Sequence, residues 1–234
     1  LIVYSIYFIT MKCPRCHGGV LPLQNACSAC GFSASLLQGY LGNQWVRLDR
    51  VTDAAFCLRL EEARRLEVVI DDFERSFPQA FFAAYLGVLP KAINVGELGF
   101  WLLNQGAFNT PSAERRNDFG IVLAVDPSAH TAGLTLGYSI EACMGGKDLS
   151  RILVQLEKHL REGSFGTAIE AACVECARLL KKTLQNDAME ACCAAGRWQH
   201  PRHRCPIPAH RTHESLKNSY RFMKAGFLTV LLHR

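Results

Sequence analysis

The chain has 234 residues, 49% hydrophobic and 20% charged, a composition that suits one medium globular domain with room for a small appended unit. Its net charge of +5 sits at one end: from Arg197 onward eight Lys and Arg face a single acid, Glu214, a net +7, so the rest of the chain stands at −2. That body has no basic stripe to track phosphates, and no apolar stretch is long enough to span a bilayer.

Residues 1–10 are apolar at Leu1–Ile9, with no basic flank before them, and make a poor signal peptide. They read as a non-native extension, with Met11 as the natural start.

The strongest motif follows at once. Cys13-Pro14-Arg15-Cys16 and Cys27-Ser28-Ala29-Cys30 are two Cys-x-x-Cys pairs ten residues apart. Each pair can bend around an ion as a tight knuckle, and four thiolates close a tetrahedral Zn²⁺ shell. Residues 11–33 therefore read as a zinc ribbon whose metal is structural, with no position left for substrate. The ribbon and the odd count of eleven Cys point to a reducing compartment, and so to a cytoplasmic protein.

Residues 34–45 read as a linker, with a lead-in strand around Trp45-Val46-Arg47-Leu48. A long helix is expected from Thr52-Asp53, with an apolar stripe at Phe56, Leu60, Ala63, Leu66, Ile70, Phe73 and Phe77 and a stop at Pro78. Phe81–Leu89 is a buried strand, Glu97–Asn104 a helix, and 105–118 a polar loop. Phe119–Val125 and Thr131–Ile140 are two strands joined by a short polar link, which predicts an antiparallel hairpin. Asp148 caps a helix with Leu149, Ile152, Leu153, Leu156 and Leu160 on one face, ended by Gly163. A last helix runs over 166–184. Helices covering a small mixed sheet make an α/β fold over residues 46–186. Residues 187–234 read as a basic, disordered tail.

Further along the chain, Cys173-Val174-Glu175-Cys176 falls on the apolar stripe of the last helix and reads as buried small side chains. His203, Cys205, His210 and His213 have ligand chemistry but no folding unit around them, and Gly145-Gly146-Lys147 is an ordinary loop before a helix. There is no Gly-x-Ser-x-Gly, no Walker A loop and no His-Glu-x-x-His. The better catalytic candidates are acids at strand ends: Asp118 before the second strand, Asp126 after it, and Glu141 after the third. Carboxylates there could hold Ca²⁺ or Mg²⁺ through oxygen ligands. Asp118 and Asp126 lie at opposite ends of one strand and cannot share a site.

At these residues the sequence resembles the TPM domain family, which includes thylakoid-lumen acid phosphatase relatives and many bacterial membrane or secreted proteins. The resemblance covers about residues 46–183 and lies in Trp101, Asn117-Asp118-Phe119-Gly120-Ile121-Val122-Leu123, Gly137-Tyr138-Ser139-Ile140-Glu141 and Gly163-Ser164-Phe165-Gly166. It implies an α/β/α sandwich, and, since some relatives are phosphatases and some bind divalent cations, catalytic roles for Asp118 and Glu141. Ser139 stands where the family has a second Gly, and the ribbon is an addition. Together the readings describe a cytoplasmic binding or accessory protein with another protein as partner. A divalent-metal phosphatase and a nucleic-acid-binding ribbon are the alternatives. Against the last, residues 11–33 hold only Lys12 and Arg15 as fixed cations.

Overall fold

The structure is a computed structural model that describes residues 11–20, 24–108, 117–141, 143–194 and 228–232. Residues 1–10 and the cluster His203, Cys205, His210 and His213 lie outside the described residues.

The order of elements is set by a five-stranded mixed sheet. Its strands are β4 (Val51–Asp53), β5 (Phe81–Leu86), β7 (Gly120–Asp126), β8 (Thr131–Leu136) and β9 (Leu228–Leu232), in that spatial order. The first three run parallel, and β7–β8 and β8–β9 pair antiparallel. The expected β7–β8 hairpin is present, with Ile121 opposite Leu136 and Asp126 opposite Thr131.

β5 and β7 are continuous apolar runs because both faces of the sheet are covered. Phe82, Ala84, Leu86, Ile121, Leu123 and Val125 point to one side, where they meet α2 (Leu60–Ser76), α5 (Gly146–Arg161) and α6 (Phe165–Ala194). Phe81, Ala83, Val122 and Ala124 point to the other, onto α3 (Val95–Gln105) and the cysteine-rich N-terminal unit. A mixed sheet covered by helices, preceded by the four-cysteine unit, is the fold expected from the sequence. Within α6, Cys173 and Cys176 are buried, and burial pushes the Cys173 thiol up to about 12 and that of Cys176 well above its ordinary value.

Four boundaries are corrected. The first long helix does not start at Thr52-Asp53, because those residues end β4. Both Asp53 oxygens accept backbone N–H groups, from Cys57 (3.1 Å) and Leu58 (2.8 Å), and hold a turn before α2 begins at Leu60. Phe56, placed in the helical stripe by its spacing, sits in that turn with φ 54° and 92% of its surface exposed. Residues 34–45 are more than a linker: Ser33 caps α1 (Ala34–Leu41), and β3 (Val46–Leu48) pairs in parallel with β6 (Gly106–Phe108), inside the expected polar loop. The third strand stops at Leu136 rather than Ile140. Gly137 N–H closes the ladder on Gly120 O (2.7 Å), and Tyr138–Glu141 turn into a short helix, α4. The tail is structured in two places, since α6 continues to Ala194 and β9 adds an edge to the sheet.

Charge ties the first strand to its helix. The Arg50 guanidinium donates to Glu67 and Asp71 and lies 3.6 Å from the buried Glu74 carboxylate, all on α2.

At the carboxyl end of β7 the buried Asp126 serves as a loop cap. It accepts from Leu89 N (3.0 Å), Ser128 N (2.9 Å), Ser128 Oγ (2.8 Å) and Ala129 N (3.1 Å). Burial alone would raise its pKa, but these donors outweigh burial and hold it below the ordinary 3.8. Its stabilising contribution is therefore present above the ordinary value and is lost as pH falls through the lowered one. Asp126→Asn sets a donor against a donor and is expected to cost about 1–3 kcal/mol at neutral pH. In denaturant titrations the gap to the parent should hold near neutrality and narrow only as pH falls below about 4.

Candidate metal centre

The two Cys-x-x-Cys knuckles have the same local geometry, position for position. Cys13 N–H bonds to Gly18 O (2.8 Å) and His17 N–H to Cys13 O (2.9 Å). Cys27 N–H bonds to Phe32 O (2.8 Å) and Gly31 N–H to Cys27 O (2.8 Å). The residue after each second cysteine takes the left-handed conformation, His17 at φ 59° and Gly31 at φ 70°. Only Gly31 adopts it without steric cost. In the first knuckle a β-strand pair, β1 (Met11–Lys12) with β2 (Gly19–Val20), closes the loop.

This folding brings the four sulfurs together. All lie within 4.8 Å of one another, with Cys13 Sγ 3.6 Å from Cys30 Sγ and Cys16 Sγ 3.6 Å from Cys27 Sγ. A disulfide would need about 2.0 Å. A tetrahedron with Zn–S bonds of about 2.3 Å has edges of about 3.8 Å, which the pairs match. Among the described residues this is the one group of three or more His, Cys, Asp or Glu side chains close enough to share a metal ion.

The electrostatics also suit a thiolate cage. Backbone N–H groups of Ala29 and Cys30 aim at the Cys27 sulfur and bring its pKa down to about 7. Burial pushes the Cys13 thiol up to about 12 against the N–H groups of Cys16 and Arg15, and raises Cys30. The zinc ion would be held by Cys13, Cys16, Cys27 and Cys30, and would offset two of the four negative charges that the half-buried pocket cannot carry alone.

Arg15, between the first two cysteines, connects this unit to the α/β body. Its Nε donates to Glu97 Oε1 at 2.5 Å, and its guanidinium lies over the Phe32 ring at 5.5 Å. Glu97 is 1% exposed, in the first turn of α3. Its other oxygen accepts from Asn94 N (3.0 Å), while Asn94 Oδ1 accepts from Glu97 N (2.8 Å), a reciprocal cap. Phe32 meets Phe100 edge-on at 5.8 Å, and Trp101 Nε1 donates to Gly42 O at 3.0 Å. Cys13, Cys27, Phe32 and Leu37 share one apolar cluster with Leu98, Trp101 and Leu102 of α3. The sequence reading missed this pair. Asn94-x-x-Glu97 was legible as a capping box, but a partner 82 residues away was not.

Asp118 lies in a 3₁₀ turn (Asn117–Phe119) and Glu141 at the end of α4, both half-buried. The two elements pack together at one end of the β7–β8 hairpin, and Asp126 is at the other. Gly137 makes this close approach possible, because a Cβ there would run into the backbone of Asn117 and Asp118. No third ligand-bearing side chain joins Asp118 and Glu141 among the described residues.

No family model and no curated protein matches the chain. Among solved structures it is similar to a solution NMR structure of the N-terminal domain of a protein from P. gingivalis. That match has a TM-score of 0.44 and 19% identity, and covers 58% of this chain and 84% of that one.

Two outcomes are expected. Zinc must displace protons from the raised Cys13 and Cys30 thiols, two in all, so its apparent affinity should fall about a hundredfold per pH unit on acidification, measured by chelator competition. Arg15→Ala strands the buried Glu97 carboxylate and should cost about 2–4 kcal/mol in unfolding free energy. Arg15→Ala together with Glu97→Gln should cost less than the sum of the two single changes.

Proposed function

We propose that this chain is a two-module binding protein. Its four-cysteine unit is a structural zinc site that presents a docking surface, and its α/β body is a TPM-like accessory domain. The observation that carries the reading is the closed set of four sulfurs, mutually within 4.8 Å and joined to α3 through Arg15 and Glu97. Four thiolates leave zinc no open position for water, so the ion fixes shape. The partner is another protein, and the setting is a reducing, cytoplasmic one that keeps the thiols out of disulfides and able to ligate zinc.

A second reading has one observation in its favour. The fold packs the turn carrying Asp118 against the helix carrying Glu141. In that reading the two carboxylates serve a divalent-metal-dependent phosphatase, with Mg²⁺ or Ca²⁺ as the ion.

The test uses the full, zinc-loaded chain with a generic aryl phosphate, with and without Mg²⁺ or Ca²⁺. The binding reading expects phosphate release no greater than that of the Asp118→Ala/Glu141→Ala variant. Saturable turnover that the double substitution abolishes would overturn it and establish the second reading.

A further inference from the structure

The four clustered cysteines differ in access. Of the eight cysteines whose side chains are described, Cys16 is the exposed one, whereas Cys13 and Cys27 of the same cluster are 1% and 3% exposed and Cys30 is half-buried. Gly18 stands beside Cys16. A Cβ there would lie 3.4 Å from the Cys16 sulfur, so the missing side chain leaves that approach open. Gly18 is not in the left-handed region, and its backbone conformation alone does not call for glycine. The 3.6 Å sulfur contacts each join one knuckle to the other, Cys16 with Cys27 and Cys13 with Cys30. Elsewhere, the half-buried Cys57 and Cys143 direct their thiols at the backbone oxygens of Ala55 and Ser139, and Cys173 and Cys176 are buried.

We infer that Cys16 is the oxidation site of the four-cysteine unit, that the oxidant is a hydroperoxide, and that the product is a disulfide from Cys16 to Cys27 across the two knuckles. Zinc held by the four cysteines would keep the Cys16 sulfur deprotonated, and the thiolate is the reactive form. In the first step the Cys16 sulfur attacks a peroxide oxygen. An S–O bond forms, the O–O bond breaks, and the departing oxygen takes up a proton, which leaves Cys16 as a sulfenic acid. In the second step the Cys27 sulfur attacks the Cys16 sulfur. The S–S bond forms, the S–O bond breaks, and hydroxide leaves and is protonated to water. Two electrons pass from the sulfur pair to the peroxide; with hydrogen peroxide the products are the disulfide and two waters. From 3.6 Å the two sulfurs need to close by about 1.6 Å to reach a disulfide bond of about 2.0 Å. The shell then loses two thiolates, and Cys13 with Cys30 cannot close a tetrahedron by themselves. Oxidation at Cys16 thus releases the ion and places the knuckle that carries Arg15 under redox control. The inference rests on the zinc reading of the four-cysteine unit and adds its regulation.

The full zinc-loaded chain would be treated with hydrogen peroxide. Zinc release is followed with a chromogenic chelator, thiol loss by titration, and cross-links by tandem mass spectrometry of a digest. Two thiols should be lost for each zinc released, the first cross-link should join Cys16 to Cys27, and a dithiol reductant with added zinc should restore the metal content. Cys16→His keeps a ligand for zinc but removes the reactive sulfur, so release should slow by about tenfold or more. Cys30→His changes the shell in the same way and keeps Cys16, so release should not slow. The cross-link is mapped on the unsubstituted chain and decides the matter even where a variant fails to hold zinc. A first cross-link within one knuckle, oxidised Cys16 with no sulfur partner, thiol loss confined to other cysteines, or equal slowing in the two variants would each overturn the inference. A chain that holds no zinc before peroxide is added would overturn the metal reading and the inference with it. A chain that holds zinc and keeps it in peroxide would overturn the inference alone.

Discussion

Glu97 is a carboxylate buried in an apolar layer, and much of the N-terminal half of the molecule is arranged around that fact. An unpaired charge there would cost several kcal/mol. Three groups compensate it: the Arg15 guanidinium, the Asn94 N–H, and the N-terminus of α3, whose dipole favours negative charge. The last two are local and form with the helix. Arg15 is not local, and it reaches Glu97 only because Cys13 and Cys16 on either side of it are folded into a knuckle. Knuckles of this size fold on their metal. With a metal bound, the dependence would run from ion to knuckle, to Arg15, to Glu97, and so to the helix that covers one face of the sheet.

Arginine suits this position for reasons that lysine would not meet. The planar guanidinium lies over the Phe32 ring while its edge meets the carboxylate. It also stands next to the thiolates, and a zinc ion with four of them carries a net −2. One cation would thus serve two anionic neighbours, a carboxylate and, with zinc held, a thiolate cage. The apolar contacts around it, Phe32 on Phe100 and Leu37 under the knuckles, exclude water and strengthen both interactions.

The four-cysteine cluster was legible because a knuckle is a local object: Cys-x-x-Cys and a left-handed residue after it contain most of the geometry. The two buried strands were legible because their uninterrupted apolar runs demand cover on both faces. What escaped was decided by contacts across the chain. The 3.6-residue spacing of Phe56 and Leu60 fits a helix, yet Asp53 takes the Cys57 and Leu58 N–H groups and Leu86 O takes those of Ala54 and Ala55. A strand end and a tight turn result where the periodicity predicts a first helical turn. β3 is three residues long and exists through its pairing with β6, some sixty residues away, which no local pattern reports. Asp126, weighed from sequence as a strand-end ligand, has its oxygens engaged by four donors in its own and a neighbouring loop.

These placements divide the acidic residues by what remains of their hydrogen-bonding capacity. Asp53 and Asp126 shape the loops at the carboxyl ends of parallel strands, where open α/β sheets commonly bind ligands. Their oxygens already hold backbone there, so the sheet's usual ligand edge is built for rigidity. Glu97 is committed to Arg15 and Asn94. On the far side of the molecule, Leu36 and Tyr40 of α1 face outward while Leu37 beside them is buried against the cluster that holds Cys13, Cys27 and Phe32. A metal ion held by the four cysteines would fix the knuckles, and through them the inner face of α1, whose Leu37 is seated on the same cluster. Such a metal would act on the α/β body from outside the sheet, through Arg15 and Glu97 at the start of α3.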